Sequence, residues 1–247
     1  MVEILSFPEE ATPFDLRVQV RELQDQAWPS EDDPVVAADA PVHDPSLNPE
    51  SMLLVDGGTV LAALDILSKE IAHAGGRYAA GGLSTVVTRR EARGHGFGRR
   101  LVAAAREAMA ARELDLGLFT CDRPLRAFYE SAGWQALPGT VLIGGTPDAP
   151  FPSDRPGFDK VTMACFFSRR CRDARAAFHD TRIELYPGRS TSSGEGRSPA
   201  LGPRLPPLLG AGRRGAGVLG CRVAQWRGTA SAVTCCCCRW PGLVPSS

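Results

Sequence analysis

The feature that most constrains this chain is a change of period around residues 93–98. Upstream, apolar runs at Met52–Val55, Val60–Ile71 and Tyr78–Thr88 are separated by Asp56-Gly57-Gly58 and Ala74-Gly75-Gly76. Asp-Gly between apolar runs is a hairpin signal, so this stretch is expected to form an antiparallel meander. Gly81-Gly82 inside the third run weakens it as a strand, or marks a bulge or a close approach. Downstream, Leu101, Ala105, Ala108 and Met109 recur at helical spacing between Phe97 and Arg112. Between the two patterns stands Arg93-Gly94-His95-Gly96-Phe97-Gly98. Glycines let a backbone bend tightly and come close to a ligand. The unpaired N–H groups of a helix's first turn, at the positive end of its dipole, favour a phosphate. Arg93, Arg99 and Arg100 add charge-assisted donors. The pattern predicts an anion site suited to a pyrophosphate.

Other phosphate loops fit poorly. A Walker loop ends in Gly-Lys-Ser/Thr, whereas Gly98 is followed by Arg99-Arg100. The dinucleotide fingerprint needs a glycine where Arg99 stands, and it follows the first strand of a parallel sheet. A plain glycine-rich connection is the remaining alternative; three alternating glycines flanked by arginines weigh against it.

The rest of the pattern reads as follows. Phe14 to Trp28 places apolar residues on one helical face after Thr12-Pro13. Residues 29–50 hold five prolines and several acids, and predict a loop long enough to suggest substrate contact. Asp115–Thr120 reads as a short buried strand and Pro124–Ser131 as a short helix. Strands are expected near Gln135–Ile143 and Val161–Phe167, with a loop at 144–159 and a last helix from Arg169 to Asp180. From Ser190 onward Gly, Pro, Ser, Arg and Cys dominate without periodicity. The expected division is therefore a folded domain at 1–189 and a disordered, low-complexity tail at 190–247.

Charge divides the same way. Beyond Arg189 stand seven Arg and one Glu, so residues 1–189 carry 21 basic and 27 acidic side chains. A net-negative body argues against nucleic acid as a partner and suits a cationic substrate. Cys121, Cys165 and Cys171 are too scattered for a disulfide framework. The run Cys235–Cys238 lacks the spaced pairs of a zinc site, so no metal is expected. No apolar run approaches the eighteen or so residues of a membrane span. The acidic amino terminus lacks the pattern of a secretory signal. The expected setting is the cytoplasm, with no membrane partner.

Arg93 to Gly98 matches the Arg/Gln-x-x-Gly-x-Gly/Ala signature of the GNAT (GCN5-related) N-acetyltransferases. The resemblance extends from Leu83 to Trp134 and includes Leu125-Arg126-Ala127-Phe128-Tyr129-Glu130-Ser131-Ala132-Gly133-Trp134, which looks like that family's second motif. It implies an α/β fold with a mixed, mostly antiparallel central sheet and helices on both faces. It further implies direct transfer of an acetyl group from acetyl-CoA to a primary amine. Val86, Val87 and Thr88 would hold the pantetheine arm through their main chain. Backbone groups of Arg93, Gly94, His95, Gly96, Phe97, Gly98 and Arg99 would hold the pyrophosphate. Tyr129 matches the tyrosine that protonates the departing thiolate. Many relatives form homodimers.

Tyr129 alone, at helical spacing with Leu125 and Phe128, reads as a packing residue, and only its place in the second motif carries the catalytic role. Cys121 reads as a small buried side chain, with no neighbouring His to activate it. The family's acid at the start of the pantetheine strand is missing: Gly82-Leu83-Ser84-Thr85 carries no carboxylate. Candidate bases are His73, Glu70, Asp65 and acids of the 29–50 loop, with Ser84 ordering a water. Within the family, the second motif and the proline-rich loop after it look similar to aminoglycoside 2′-N-acetyltransferases, which implies a small cationic acceptor. Two alternatives remain: a non-catalytic acetyl-CoA-binding regulator, and an acetyltransferase of protein or peptide amines.

Overall fold

A computed structural model describes residues 1–29 and 41–186. The expected tail at 190–247 and the middle of the 29–50 loop lie outside the described residues. The meander is present: β2 (Glu50–Asp56), β3 (Thr59–His73) and β4 (Gly76–Thr88) pair antiparallel in sequence order. An additional strand that the sequence reading did not identify, β1 (Val2–Pro8), extends the sheet beyond β2. With β5 (Leu116–Asp122), β6 (Gln135–Ala136) and β9 (Lys160–Phe166), the seven-stranded order is β1-β2-β3-β4-β5-β9-β6. Within this sheet the β4–β5 pair is the parallel one, because a helix crosses between them.

That helix is α2 (Phe97–Ala111); α1 (Phe14–Ala27) precedes β2. Leu101, Val102, Ala105 and Met109 of α2 bury one stripe against Met52, Leu54, Leu64 and Ile66. On the opposite face, Val20 and Leu23 of α1 cover Leu53, Val55, Ala63 and Val87. Each fully buried aliphatic side chain contributes about 1.5–3 kcal/mol relative to exposure. Helices thus cover both faces, as the fold class requires.

The later part of the chain departs from the expected boundaries. Gln135–Ile143 is not one strand: Pro138-Gly139 breaks it into β6 and β7 (Val141–Thr146), which belong to different sheets. The expected loop at 144–159 contains β8 (Ala149–Pro152), paired with β7 in a three-stranded sheet completed by β10 (Arg182–Glu184). The last helix stops early, as α4 (Arg169–Asp173) followed by a 3-10 turn at Arg175–Phe178. Short α3 (Arg126–Ser131) lies between β5 and β6.

Two irregularities in β4 shape the site. First, β4 and β5 pair only at Ala80–Leu116 and Gly81–Gly117. From Gly82 onward the strands part, and the β5-facing edge of β4 is open. Asp115 clamps the closed end: its carboxylate accepts from the Ala79 N–H, its own N–H donates to Ala79 O, and Arg170 donates to it. Second, the β3–β4 register runs from Ala63↔Val87 to Asp65↔Ser84, so Leu64 opposes both Thr85 and Val86. This is a β-bulge. Thr85 sits at φ 48°, a strained value for a β-branched residue.

Candidate active site

The glycine-rich turn forms where strand gives way to helix. Gly94 and Gly96 have φ of 80° and 78°, and a side chain on either would meet nothing within 4 Å, so both border open space. Gly96 precedes the first turn of α2, its carbonyl accepting from Arg100 N at 2.9 Å. The N–H groups of Phe97, Gly98 and Arg99 therefore lack intrahelical acceptors and face outward at the positive helix end. Gly98 serves a different need. A Cβ there would lie 2.7 Å from Thr88 Oγ1 and 3.5 Å from the Phe128 ring. Its bare backbone lets α2 settle between the end of β4 and α3, which brings Thr88, the loop and the Phe128-Tyr129 pair together.

The other predicted residues fall around this junction. Val86 and Val87 bury their side chains on opposite faces, leaving their main chain to the strand edge. Arg93 Nε donates to Thr88 O at 3.2 Å and so braces the turn against β4. His95 keeps its ring beside the turn, with Nδ1 3.0 Å from Arg93 O and the ring stacked on Phe97. An open depression of about 820 Å³ extends from His95, Gly96 and Phe97 past Arg99, Arg100 and Arg106. Tyr129 lies on α3, packed edge-on against Phe119 of β5 at 4.9 Å and Phe128 at 5.0 Å, and is 2% exposed.

On the α1-side face of β4 lies a buried polar cluster. Glu9 accepts from the Val42 N–H at 2.6 Å, from the His43 N–H at 3.2 Å, and lies 3.3 Å from His43 Nδ1. His43 Nε2 lies 3.1 Å from Ser84 Oγ. Asp65 accepts from Ser51 Oγ at 2.6 Å and from Thr85 Oγ1. The bulge explains the meeting: neighbouring strand residues normally face opposite ways, yet Ser84 and Thr85 both reach this cluster. Burial pushes the Asp65 carboxyl above its ordinary value, against the pull of His43. Burial also pushes on Glu9, but its bonds from His43 and Val42 win and hold it below the usual carboxylate range.

Asp65, one of the sequence candidates for a base, is therefore in the cluster. Glu70 and His73 are not: Glu70 pairs with exposed Arg77, and His73 lies 2.8 Å from Ala177 O near the far end of β3. His43 and Glu9 were missed individually. The length of the proline-rich loop pointed to the segment that holds His43, and no sequence signal pointed to Glu9.

Residues 11–137, half of the chain, match the acetyltransferase (GNAT) domain family. The chain belongs to the GNAT acetyltransferases. N-acetyl transfer is the activity class of this GNAT domain, and acetyl-CoA is the family's donor. No curated protein matches the sequence. Among solved structures, the domain is similar to an acyl-CoA N-acyltransferase from Pseudomonas aeruginosa, at 18% identity over 66% of this chain and 99% of that one, with a TM-score of 0.44. ElaA from Escherichia coli gives 15% identity, 66% and 99% coverage and a TM-score of 0.46. A conserved protein of unknown function from Enterococcus faecalis V583 gives 14%, a TM-score of 0.43 and 55% of this chain, which spans about a third (32%) of that protein. These likenesses are loose, and the family assignment rests on the sequence match. No described helix is long and apolar enough to cross a membrane.

Proposed function

We propose that residues 1–189 form an acetyl-CoA-dependent enzyme that acetylates a primary amine of a small, cationic acceptor. The observation that carries this is the junction at Gly98. It joins an open strand edge, a helix start with outward N–H groups and a buried tyrosine in one place. The described residues fit acetyl-CoA: open space borders Gly94 and Gly96, and arginines line the depression beyond them. The donor supplies an activated thioester when bound. The edge of β4 at Val86, Val87 and Thr88 offers ladder groups to the pantetheine amides, as an added strand would. The backbone from Arg93 to Arg99 offers its N–H groups to the pyrophosphate. Tyr129, packed on Phe128 beside this junction, is assigned the proton given to the departing sulfur.

The acidic balance of residues 1–189 and the carboxylates of Glu9 and Asp65 beside Ser84 support a cationic acceptor, with aminoglycosides as the polycationic extreme. The test is thiol release from acetyl-CoA by the purified chain across monoamines, diamines, kanamycin, tobramycin and lysine peptides. Turnover of small cationic amines is the expected result. Turnover confined to peptides removes the acceptor class. Tight acetyl-CoA binding with no turnover at all favours a regulator.

A further inference from the structure

We propose that His43 is the base of this reaction, taking the amine's proton through the Ser84 hydroxyl while Glu9 fixes its ring. The proposal rests on the acetyltransferase reading above and supplies the base that the Gly82–Thr85 strand lacks.

The direction of the relay follows from donor chemistry. An ionised carboxylate only accepts hydrogen bonds, so His43 Nδ1, at 3.3 Å from Glu9 Oε2, carries the ring proton of the neutral imidazole. The basic lone pair is then on Nε2, and Nε2 faces Ser84 Oγ at 3.1 Å. A proton reaching His43 from the site therefore arrives from the Ser84 side. Ser84 stands on β4 within the stretch whose edge toward β5 is open. In the relay, the acceptor ammonium gives one N–H proton to Ser84 Oγ as the Ser84 hydroxyl proton passes to His43 Nε2. Ser84 ends as a hydroxyl, the amine is neutral with a free lone pair, and His43 is an imidazolium held by the Glu9 carboxylate.

The far side of the ring provides an exit. Glu9 and His43 line a cavity of about 340 Å³ bordered by Glu10, Pro41, Pro45 and Glu50. A proton on the His43–Glu9 pair can leave there without passing back across the reacting amine. Among the described residues the charged groups nearest the ring are Glu9, from the segment after β1, and Asp65 of β3, 4.0 Å from Nδ1, while Glu10, Glu50 and Arg112 line the same cavity. Arg21 of α1 is drawn electrostatically to both carboxylates. The Glu9 carboxylate favours the imidazolium, Asp65 does so when ionised, and Arg21 opposes it. Among the described residues Glu9 makes the nearer Nδ1 contact, at 3.3 Å, and grips the Val42 and His43 main chain. It is thus the positioning residue, and His43 with Ser84 are the catalytic pair.

The test combines kinetics with titration of the His43 ring by NMR in the acetyl-CoA-free protein. His43→Gln is expected to lower kcat/KM by about 10²-fold or more at neutral pH and to abolish the acidic limb of its pH profile, with acetyl-CoA affinity within about twofold of wild type. Glu9→Gln is expected to shift both that limb and the His43 titration to lower pH together. Ser84→Ala removes one half-buried hydroxyl, so it keeps the proposal testable should His43→Gln fold poorly. It is expected to cost about tenfold or more in kcat, and Ser84→Thr is expected to restore most of it. A folded His43→Gln protein with the wild-type pH profile, or full activity in Ser84→Ala, overturns the relay alone. An acetyl group found on Ser84 by mass spectrometry during turnover overturns it in favour of a covalent route. Absence of amine turnover by wild type overturns the acceptor reading and the relay together.

Discussion

The two sides of β4 are built in opposite ways. The edge toward β5 and the turn into α2 are open, basic and made of backbone, from groups lying between Val86 and Arg99. The side toward α1 is buried, acidic and made of side chains gathered from Glu9, His43, Asp65 and Ser84. A backbone site needs a local conformation, which a short glycine pattern encodes. A side-chain site needs only that distant segments meet, so residues 34 and 41 positions apart supply its bonds. The proposed donor side is therefore written in one local pattern, and the other side depends on how distant segments of this chain fold together.

The contrast can be broken by separating binding from turnover. Tyr129→Phe is expected to lower turnover by about 10²-fold or more while leaving acetyl-CoA affinity within about twofold, measured by thiol release and calorimetry. Equal activity in the two proteins would reject Tyr129 as the proton donor. On the donor side the reverse split is expected. Gly96→Ala forces a Cβ into the left-handed region, at about 1–2 kcal/mol, so acetyl-CoA should bind about tenfold more weakly with kcat at saturation little changed. Unchanged affinity would mean that the turn does not hold the donor.

Sensitivity to pH sharpens the same comparison. The Asp65 carboxyl is raised by burial, so its contribution to folding falls as pH rises from the ordinary carboxylate value of about 3.9 through the raised one. Asp65→Asn should remove that decline, read as melting temperature between pH 4 and neutrality (about 7), and an unaltered profile would count against a charged Asp65. The opposite sign holds at the closed end of the strands. Hydrogen bonds from Arg170 outweigh burial and hold Asp115 well below the carboxylate range. Its contribution is complete above about pH 3.9 and is lost as pH falls further. Asp115→Asn should flatten the acid limb of stability. This effect is the smallest of the four, because the Arg170 side chain is 62% exposed and solvent screens the pair. An acid limb as steep as that of wild type would show that other carboxylates govern it.

Much of this was legible because it is local. The meander, the α2 helix and the loop between them follow from turn residues and a change of period. Their meeting with Tyr129 was implied by the family's second motif. The misses share one cause. β1 pairs with β2 across more than 40 residues, from Val2↔Asp56 to Pro8↔Glu50, and no repeat within Val2–Pro8 announces that partner. β7 and β8 lie in a stretch whose Pro and Gly residues read as loop, although Gly144–Phe151 and Ile143–Pro152 pair at a sheet edge. His43 is one histidine among four in the chain, and Glu9 one acid among 28. Only the folded chain brings their atoms together.

The single clamp at Asp115 has a mechanical consequence. Two strands joined at Ala80 and Gly81 and free beyond them behave as the arms of a caliper. Their spread is set at the pivot, where Asp115 ties Ala79 to Arg170. Under the proposed function, the gap that would receive the pantetheine arm can thus be widened or narrowed by substitutions that touch neither substrate. Variation at Asp115, Arg170 and their neighbours would then retune the seat of the thioester while the loop proposed for the pyrophosphate stays as it is.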